Sequence, residues 1–373
     1  MRAAKVSYIR HFDYVLLLSA LALVALGIVL IYSGSLPRYS SATGVIEHPV
    51  ARQIVFALIG IIAMFAMSRV DYRLIGYTAI FIYVGALACL AFVLVAGQAM
   101  YGSRRWIELG GTQVQPSEVT KLVLVIVLAK YLTDRQERIG RLSVFVTSLA
   151  IALVPMALVF AEPDLGSAII LVAIWLAVVI MAGARSAHVL GLIASAAAAA
   201  PFALLAVVSD YQRERIATFL DPGKDPLGSG FNTLQAEISI GSGRLFGKGL
   251  THGTQTQLDY LRTQTTDYVF SVLGEELGFV GVVILFALFI ILLMRGIQTA
   301  SSSRDPFGRL LATGICTYIL FQVFINVGVN IRLLPVTGIP LPFISQGGSS
   351  LVTLFVALGI LQSIRTHPGP SEL

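Results

Sequence analysis

Charge is what this chain lacks. Only 12% of its 373 residues are Asp, Glu, Lys or Arg, while 56% are hydrophobic. A soluble domain carries about 25% charged residues, so the scarcity excludes a water-soluble globular fold and leaves an integral membrane protein. Cysteine is scarce too. Cys89 and Cys316 are the only two, and both sit in apolar runs. They read as small buried hydrophobes, which excludes a disulfide framework or a cysteine metal site. The net charge of +6 does not point to nucleic acid, because basic residues of a membrane chain set its orientation and meet anionic lipid headgroups. No cleavable leader is expected: the first apolar run, 14–33, is long enough to span and lacks a clean cleavage site.

What is present is a series of such runs. About ten are long enough to cross a bilayer: 14–33, 53–70, 74–97, 118–133, 142–161, 166–183, 188–208, 267–294, 306–329 and 347–364. The fourth is interrupted by charge, and its first turn is expected to emerge at the surface. The pattern predicts an all-α polytopic membrane protein, a single domain over 1–373. Ten spans put both termini on one side. Sorting Lys and Arg by short loop gives about fourteen to six in favour of the terminal side, so both termini are expected to be cytoplasmic. Between the seventh and eighth spans lies a long, glycine-rich extracytoplasmic loop, 209–266. A structureless loop of that length is uncommon in a compact protein, and "FNTLQAEISI" within it reads as helical or re-entrant.

Charge beside a membrane helix is costly and by default functional. In "YGSRRWIELGGTQVQPSEVTKLVLV", Pro116 suits the first turn of a helix. Glu118 and Lys121 are three apart and can pair. In "EPDLGSAI", Asp164 is placed to cap the sixth span, while Glu162 is left for a cation or a partner Arg. In "TTDYVFSVLGEELGF", Thr266 or Asp267 could cap the eighth span. If helical, Asp267 shares a stripe with Ser271, Gly274 and Gly278, a small-residue face that leaves space beside the acid. Glu275 and Glu276 lie deeper and are expected to hold the bundle together. Finally, "NVGVNIRLLPVTGIPLPFISQGGSSL" is too polar and broken for a plain span, carries an unpaired Arg332, and must line a cavity or be buried in protein. Acids and arginines ringing an outward cavity open to lipid suit an anionic headgroup on a lipid tail.

Taken together, "QPSEVTK", "EPDLGSA", "DPLGSGFNTLQAEISIGSGRLFGKGL", "TTDYVFSVLGEELGF" and "LLPVTGIPLPFISQGGSSL" resemble the SEDS family of shape, elongation, division and sporulation proteins. "HGTQTQLDYL" and the short N-terminus favour its RodA-type, cell-elongation branch. The resemblance implies a peptidoglycan glycosyltransferase of the bacterial inner membrane, polymerising lipid II at the outer face beside a class B penicillin-binding protein. It places the essential acid at Asp267 and maps conserved-motif positions onto Arg105, Trp106, Gln115, Pro116, Ser117, Glu118 and Lys121. The chain departs from the family pattern at Arg262, Glu162, Arg332 and Gln346.

Growth of the glycan joins an acceptor hydroxyl to a donor's anomeric carbon, with a lipid pyrophosphate leaving. That needs a base and a charge partner for the leaving group. Asp267 is the expected base. Arg105, Lys121, Arg213, Arg215 and Lys248 are candidates for the pyrophosphate, and Gln115, Glu118 and Ser349 complete the expected substrate surface. A divalent cation, Mg or Mn, is a further candidate at Asp267; no organic cofactor is expected. Two other classes stay open on sequence. A flippase for the lipid-linked precursor would carry its charges near the midplane between related halves. A scaffold that only activates a penicillin-binding protein would need Asp267 solely as a helix cap.

Overall fold

The computed structural model describes residues 11–39, 48–100, 103–109, 112–206, 210–221, 229–261 and 263–367. Arg262 falls outside them. All ten expected spans are helices: α1 (Tyr14–Tyr39), α2 (Pro49–Arg69), α3 (Tyr72–Ala96), α4 (Pro116–Thr133), α5 (Leu142–Ala161), α6 (Leu165–Met181), α7 (Ser186–Ala206), and, after the long loop, α11 (Val269–Ser302), α12 (Pro306–Asn330) and α13 (Gly348–Thr366). Seven are long and apolar enough to cross a membrane, and α6 and α7 contain shorter apolar helices. α4 carries Glu118, Lys121 and Lys130 within its 18 residues.

The helices start where side-chain chemistry lets them. Asp71, Asp164 and Asp305 accept from the first-turn amides of Arg73, Ser167 and Phe307, satisfying donors with no partner inside the helix. Pro49, Pro116 and Pro306 occupy first-turn positions, where the missing N–H costs nothing.

α12 and α13 are mostly buried within the protein, whereas α2 and α3 turn most of their surface outward. The outward residues, such as Ile62, Tyr77, Phe81 and Val95, are apolar, as a lipid-facing surface requires. α2 packs along α13 through glycines. A Cβ at Gly60 would fall 2.4 Å from Phe355, and one at Gly359 would fall 2.7 Å from the Met64 carbonyl. No larger residue permits that approach. Cys316 is buried, but Cys89 is exposed; on the outward-turned α3 an apolar position faces lipid, not core.

Two features depart from the sequence reading. A three-stranded antiparallel sheet, β1 (Gln98–Met100), β2 (Ser103–Leu109) and β3 (Thr112–Val114), stands between α3 and α4. Its strands are too short to show in a chain dominated by helical periodicity. The first turn of α4 is also not at the surface: Pro116, Ser117 and Glu118 are buried, because α6, α12 and α13 enclose it. Among its described residues the long loop holds three helices, α8 (Asp210–Leu220), α9 (Ser229–Ser242) and α10 (Thr254–Gln257).

Candidate active site

Asp267 is not on a helix. It belongs to a turn, 263–268, that precedes α11, with its amide donating to the Thr263 carbonyl at 3.1 Å. Its carbonyl accepts from Asn326 Nδ2 at 3.1 Å and from Asn330 Nδ2 at 2.9 Å. Both asparagines lie on the last turns of α12, four residues apart and hence on one face. The opposite side of the turn is bound to the segment before α13. Gln346 N donates to the Thr265 carbonyl at 2.9 Å, Thr265 Oγ1 meets Gln346 Oε1 at 3.0 Å, and Ser345 Oγ donates to the Thr266 carbonyl.

This clamp decides what the Asp267 carboxylate does. The residue preceding α11 is Tyr268, and no side chain of that position caps the helix. The first-turn amide of Ser271 donates instead to Asn330 Oδ1 at 3.1 Å. The cap comes from another helix, so neither Thr266 nor Asp267 supplies it. The small-residue stripe is also used differently from expectation. Gly274 packs against Ile240 of α9, and Gly278, at φ +63, lies against Leu245 and Gly247. Those glycines admit backbone from the long loop rather than opening space beside Asp267.

Arg105 and Arg215 are the cations that act on Asp267. A Cβ on Gly338 would stand 3.8 Å from Asp267 Oδ2 and 4.0 Å from Arg105 Nη1, so acid and guanidinium border one point; it is the positive φ of +74, not lack of space, that favours glycine there. Burial raises the Asp267 pKa above the usual aspartate value, and Arg215, the Thr266 hydroxyl and Arg105 oppose the rise. Arg105 is itself held by the α5–α6 turn: Nε donates to the Glu162 carbonyl at 2.9 Å, Nη2 donates to the Pro163 carbonyl, and Nη1 lies 3.9 Å from Asp164 Oδ1. Arg215 donates to the Val336 carbonyl at 2.8 Å. It edges an apolar cleft of about 120 Å³ walled by Leu165, Ile169, Phe321, Phe324 and Leu334.

Asp164 links two more expected residues to Arg105. Besides capping α6 through Ser167 N, it accepts from Gln115 Nε2 at 3.2 Å, and Gln115 N donates to Ser349 Oγ at 3.3 Å. Glu162 forms no ion pair with an arginine among the described residues, and both its carboxylate oxygens are buried there without a hydrogen-bond partner. Burial and Asp164 push its pKa up to about 8, against the pull of Arg105, so the group is mostly neutral at pH 7.

The remaining expected residues lie elsewhere. Lys121 is fully buried, paired with Glu118 at 2.6 Å and set over the Tyr318 ring, whose hydroxyl also donates to Glu118. The two side chains thus form a closed, buried pair between α4 and α12. Lys248 is held by Glu275 at 2.8 Å and Thr254 at 2.7 Å; Glu275 fastens the long loop to α11 through Gln255 and Thr256 as well. Glu276 accepts from Ser33 of α1. Arg213 is exposed on α8. Arg332 is not unpaired: it lies 3.6 Å from Glu237 of α9. Asn326 and Asn330 escaped sequence reading. Their four-residue spacing in "NVGVN" was the available signal, but only tertiary contact shows what they hold.

The described residues around Asp267 form no all-protein cage for a divalent cation. Among the described residues no three His, Cys, Asp or Glu converge, and the charges acting on Asp267 are two guanidinium groups. No chemical step is therefore routed through a metal.

Comparison with known proteins shows the family. The family model for FtsW, RodA and SpoVE, described as a cell cycle protein, matches residues 13–369. The chain is 37% identical over 358 residues to the peptidoglycan glycosyltransferase MrdB of Escherichia coli, covering 96% of this chain and 94% of that one. It is also 37% identical over 363 residues to the probable peptidoglycan glycosyltransferase FtsW of Geobacter metallireducens, covering 96% of both. Among solved structures, one described as coordinating polymerization and crosslinking by a peptidoglycan synthase complex superposes with a TM-score of 0.80 at 32% identity, over 95% of this chain and 97% of that one.

Proposed function

The chain belongs to the FtsW/RodA/SpoVE (SEDS) family of polytopic membrane proteins, and on that premise we propose that it is a peptidoglycan glycosyltransferase in which Asp267 is the general base. The observation that carries this is the release of Asp267 from helix capping. Asn330 takes the α11 amide, and the carboxylate is left beside Arg105 and Arg215 in a turn clamped from two sides.

The reaction has three requirements, and each has a residue. The acceptor hydroxyl must lose a proton as it attacks. Asp267, made more basic by burial, receives it. The leaving pyrophosphate must be met by positive charge; Arg105 and Arg215 supply it, with their side chains held by backbone carbonyls so that little reorganisation is needed. The lipid tail must lie in an apolar place, and the cleft edged by Arg215 offers one. Attack opposite the leaving group gives inversion at the anomeric carbon. The substrate is lipid II, polymerised at the outer face of the cytoplasmic membrane, with both termini cytoplasmic and a class B penicillin-binding protein as partner. The assembly described for the superposed structure supports that partnership. Equal identity to MrdB and FtsW favours neither branch; the elongation role rests on the "HGTQTQLDYL" stretch.

The test is polymer formation from lipid II by the purified complex with the transpeptidase blocked. Asp267→Asn should abolish polymer while leaving the complex assembled. Polymer made at the unmodified rate would remove Asp267 from the mechanism. A cytoplasmic reporter inserted near Lys224 should be inactive; activity there would invert the topology.

A further inference from the structure

At the other end of the bundle, α1, α11 and α13 meet around a second charged cleft. Arg365 lies in the last turn of α13, 17 residues from Gly348 or about 26 Å by helical rise, and α13 begins beside the contact of Gln346 with Thr265 next to Asp267. The hydrocarbon core is about 30 Å thick, so Arg365, and Arg295 bound with it to Asp13, stand near the headgroups on the side away from Asp267. The cleft has a volume of about 330 Å³ and is lined by His11, Phe12, Asp13, Val15, Arg295 and Arg365, among others.

Its floor is rigid. Asp13 N donates to Gln362 Oε1 at 2.9 Å and Gln362 Nε2 donates back to the Asp13 carbonyl at 2.8 Å, which joins the head of α1 to the tail of α13. Asp13 Oδ1 accepts from Val15 N and Leu16 N, each at 3.1 Å. Asp13 Oδ2 meets Arg295 Nε at 2.7 Å and also Arg365 Nη1. One carboxylate thus holds two guanidinium groups, leaving one net positive charge on the cleft. The arginine side chains remain 26% and 30% exposed. Among the described residues, Asp13 is the one protein acceptor that Arg365 meets, so the rest of its five-donor fork opens to the cleft. From its rim, Val15 and Leu18 continue along the outward face of α1, both exposed.

We propose that this cleft binds an anionic phospholipid, with the headgroup phosphate on Arg295 and Arg365 and an acyl chain along Val15 and Leu18 of α1. A preorganised guanidinium pair suits bidentate phosphate binding, and a basic pocket between helix ends is where anionic lipid is attracted. The apolar strip is what separates a lipid from free phosphate. The proposal does not depend on the assignment of Asp267.

Native mass spectrometry of the full-length protein in detergent, titrated with dioleoylphosphatidylglycerol, dioleoylphosphatidylcholine or inorganic phosphate, tests it. The phosphatidylglycerol adduct should form at about tenfold lower concentration than the phosphatidylcholine adduct, the difference of one charge-assisted contact. Arg365→Gln should erase that preference. Arg332→Gln, which removes the same charge at the opposite end, should retain it. If Arg365→Gln is not recovered folded, Arg365→Lys serves: it keeps the charge facing Asp13, removes the fork, and should lower the preference severalfold. Equal binding of both lipids, equal loss in Arg332→Gln and the Arg365 variant, or displacement of phosphatidylglycerol by inorganic phosphate at matched concentration would each overturn the proposal.

Discussion

Asp13 and Asp267 stand at opposite ends of the bundle, each just before an apolar helix and each influenced by two arginines. At Asp13 every acceptor site is engaged: one oxygen takes two first-turn amides of α1 and the other takes Arg295 and Arg365. At Asp267 the backbone carbonyl is clamped by Asn326 and Asn330, and Asn330 also takes the Ser271 amide in the first turn of α11. The first carboxylate is a joint; the second sits in a turn held by its backbone, where the proposed mechanism needs a base. Position at the head of a helix therefore does not distinguish a cap from a base. The identity of the group that satisfies the helix amides does.

The largest expected effect separates the two acids directly. Asp267→Asn should lower lipid II polymerisation by roughly 10²–10⁴-fold, the usual loss on removing a general base, with an unchanged melting temperature in the same detergent. Asp13→Asn should do the reverse. Activity per folded complex should persist, while stability falls by about 3 kcal/mol, the lower end for breaking a buried ion pair, because both arginines are partly exposed. Thermal unfolding and a polymer assay on the same preparations would show both; a shared phenotype would erase the contrast.

A pH profile sharpens the comparison. A base must be ionised, so activity is lost as pH falls through the Asp267 pKa, which burial raises. Arg215 lowers that pKa, so Arg215→Gln should move the acid limb of kcat/KM to higher pH. It should also reduce activity about tenfold at the optimum through loss of a charge-assisted contact. An unmoved limb would place Arg215 away from the base.

The last contrast concerns Glu162, and its effect is on stability alone. Its folded pKa of about 8 stands above the ordinary value of 4.5, so the native state binds the extra proton between those values. Stability should fall as pH rises through that window, by at most about 1.4 kcal/mol per pH unit for one proton. Glu162→Gln should flatten this slope. Unfolding midpoints measured from pH 5 to 9 would check it.

Much of the architecture was legible because apolar runs of spanning length leave a chain few alternatives. The ten helices, the pairing of Glu118 with Lys121 and the capping of α6 by Asp164 follow from local spacing, since residues three or four apart on a helix meet regardless of what surrounds them. The place of Asp267 at the head of α11 was legible from its motif. Its freedom was not. That freedom depends on Asn330, 63 residues away, which takes the Ser271 amide, and the meeting of Asp267 with Arg105 depends on the α5–α6 turn that holds the guanidinium. Sequence by itself determined the membrane class, the spans and the residue types available for chemistry. Tertiary structure alone decided which charges are neutralised by one another and which remain for a substrate, because that division rests on contacts between segments with no periodic relation along the chain.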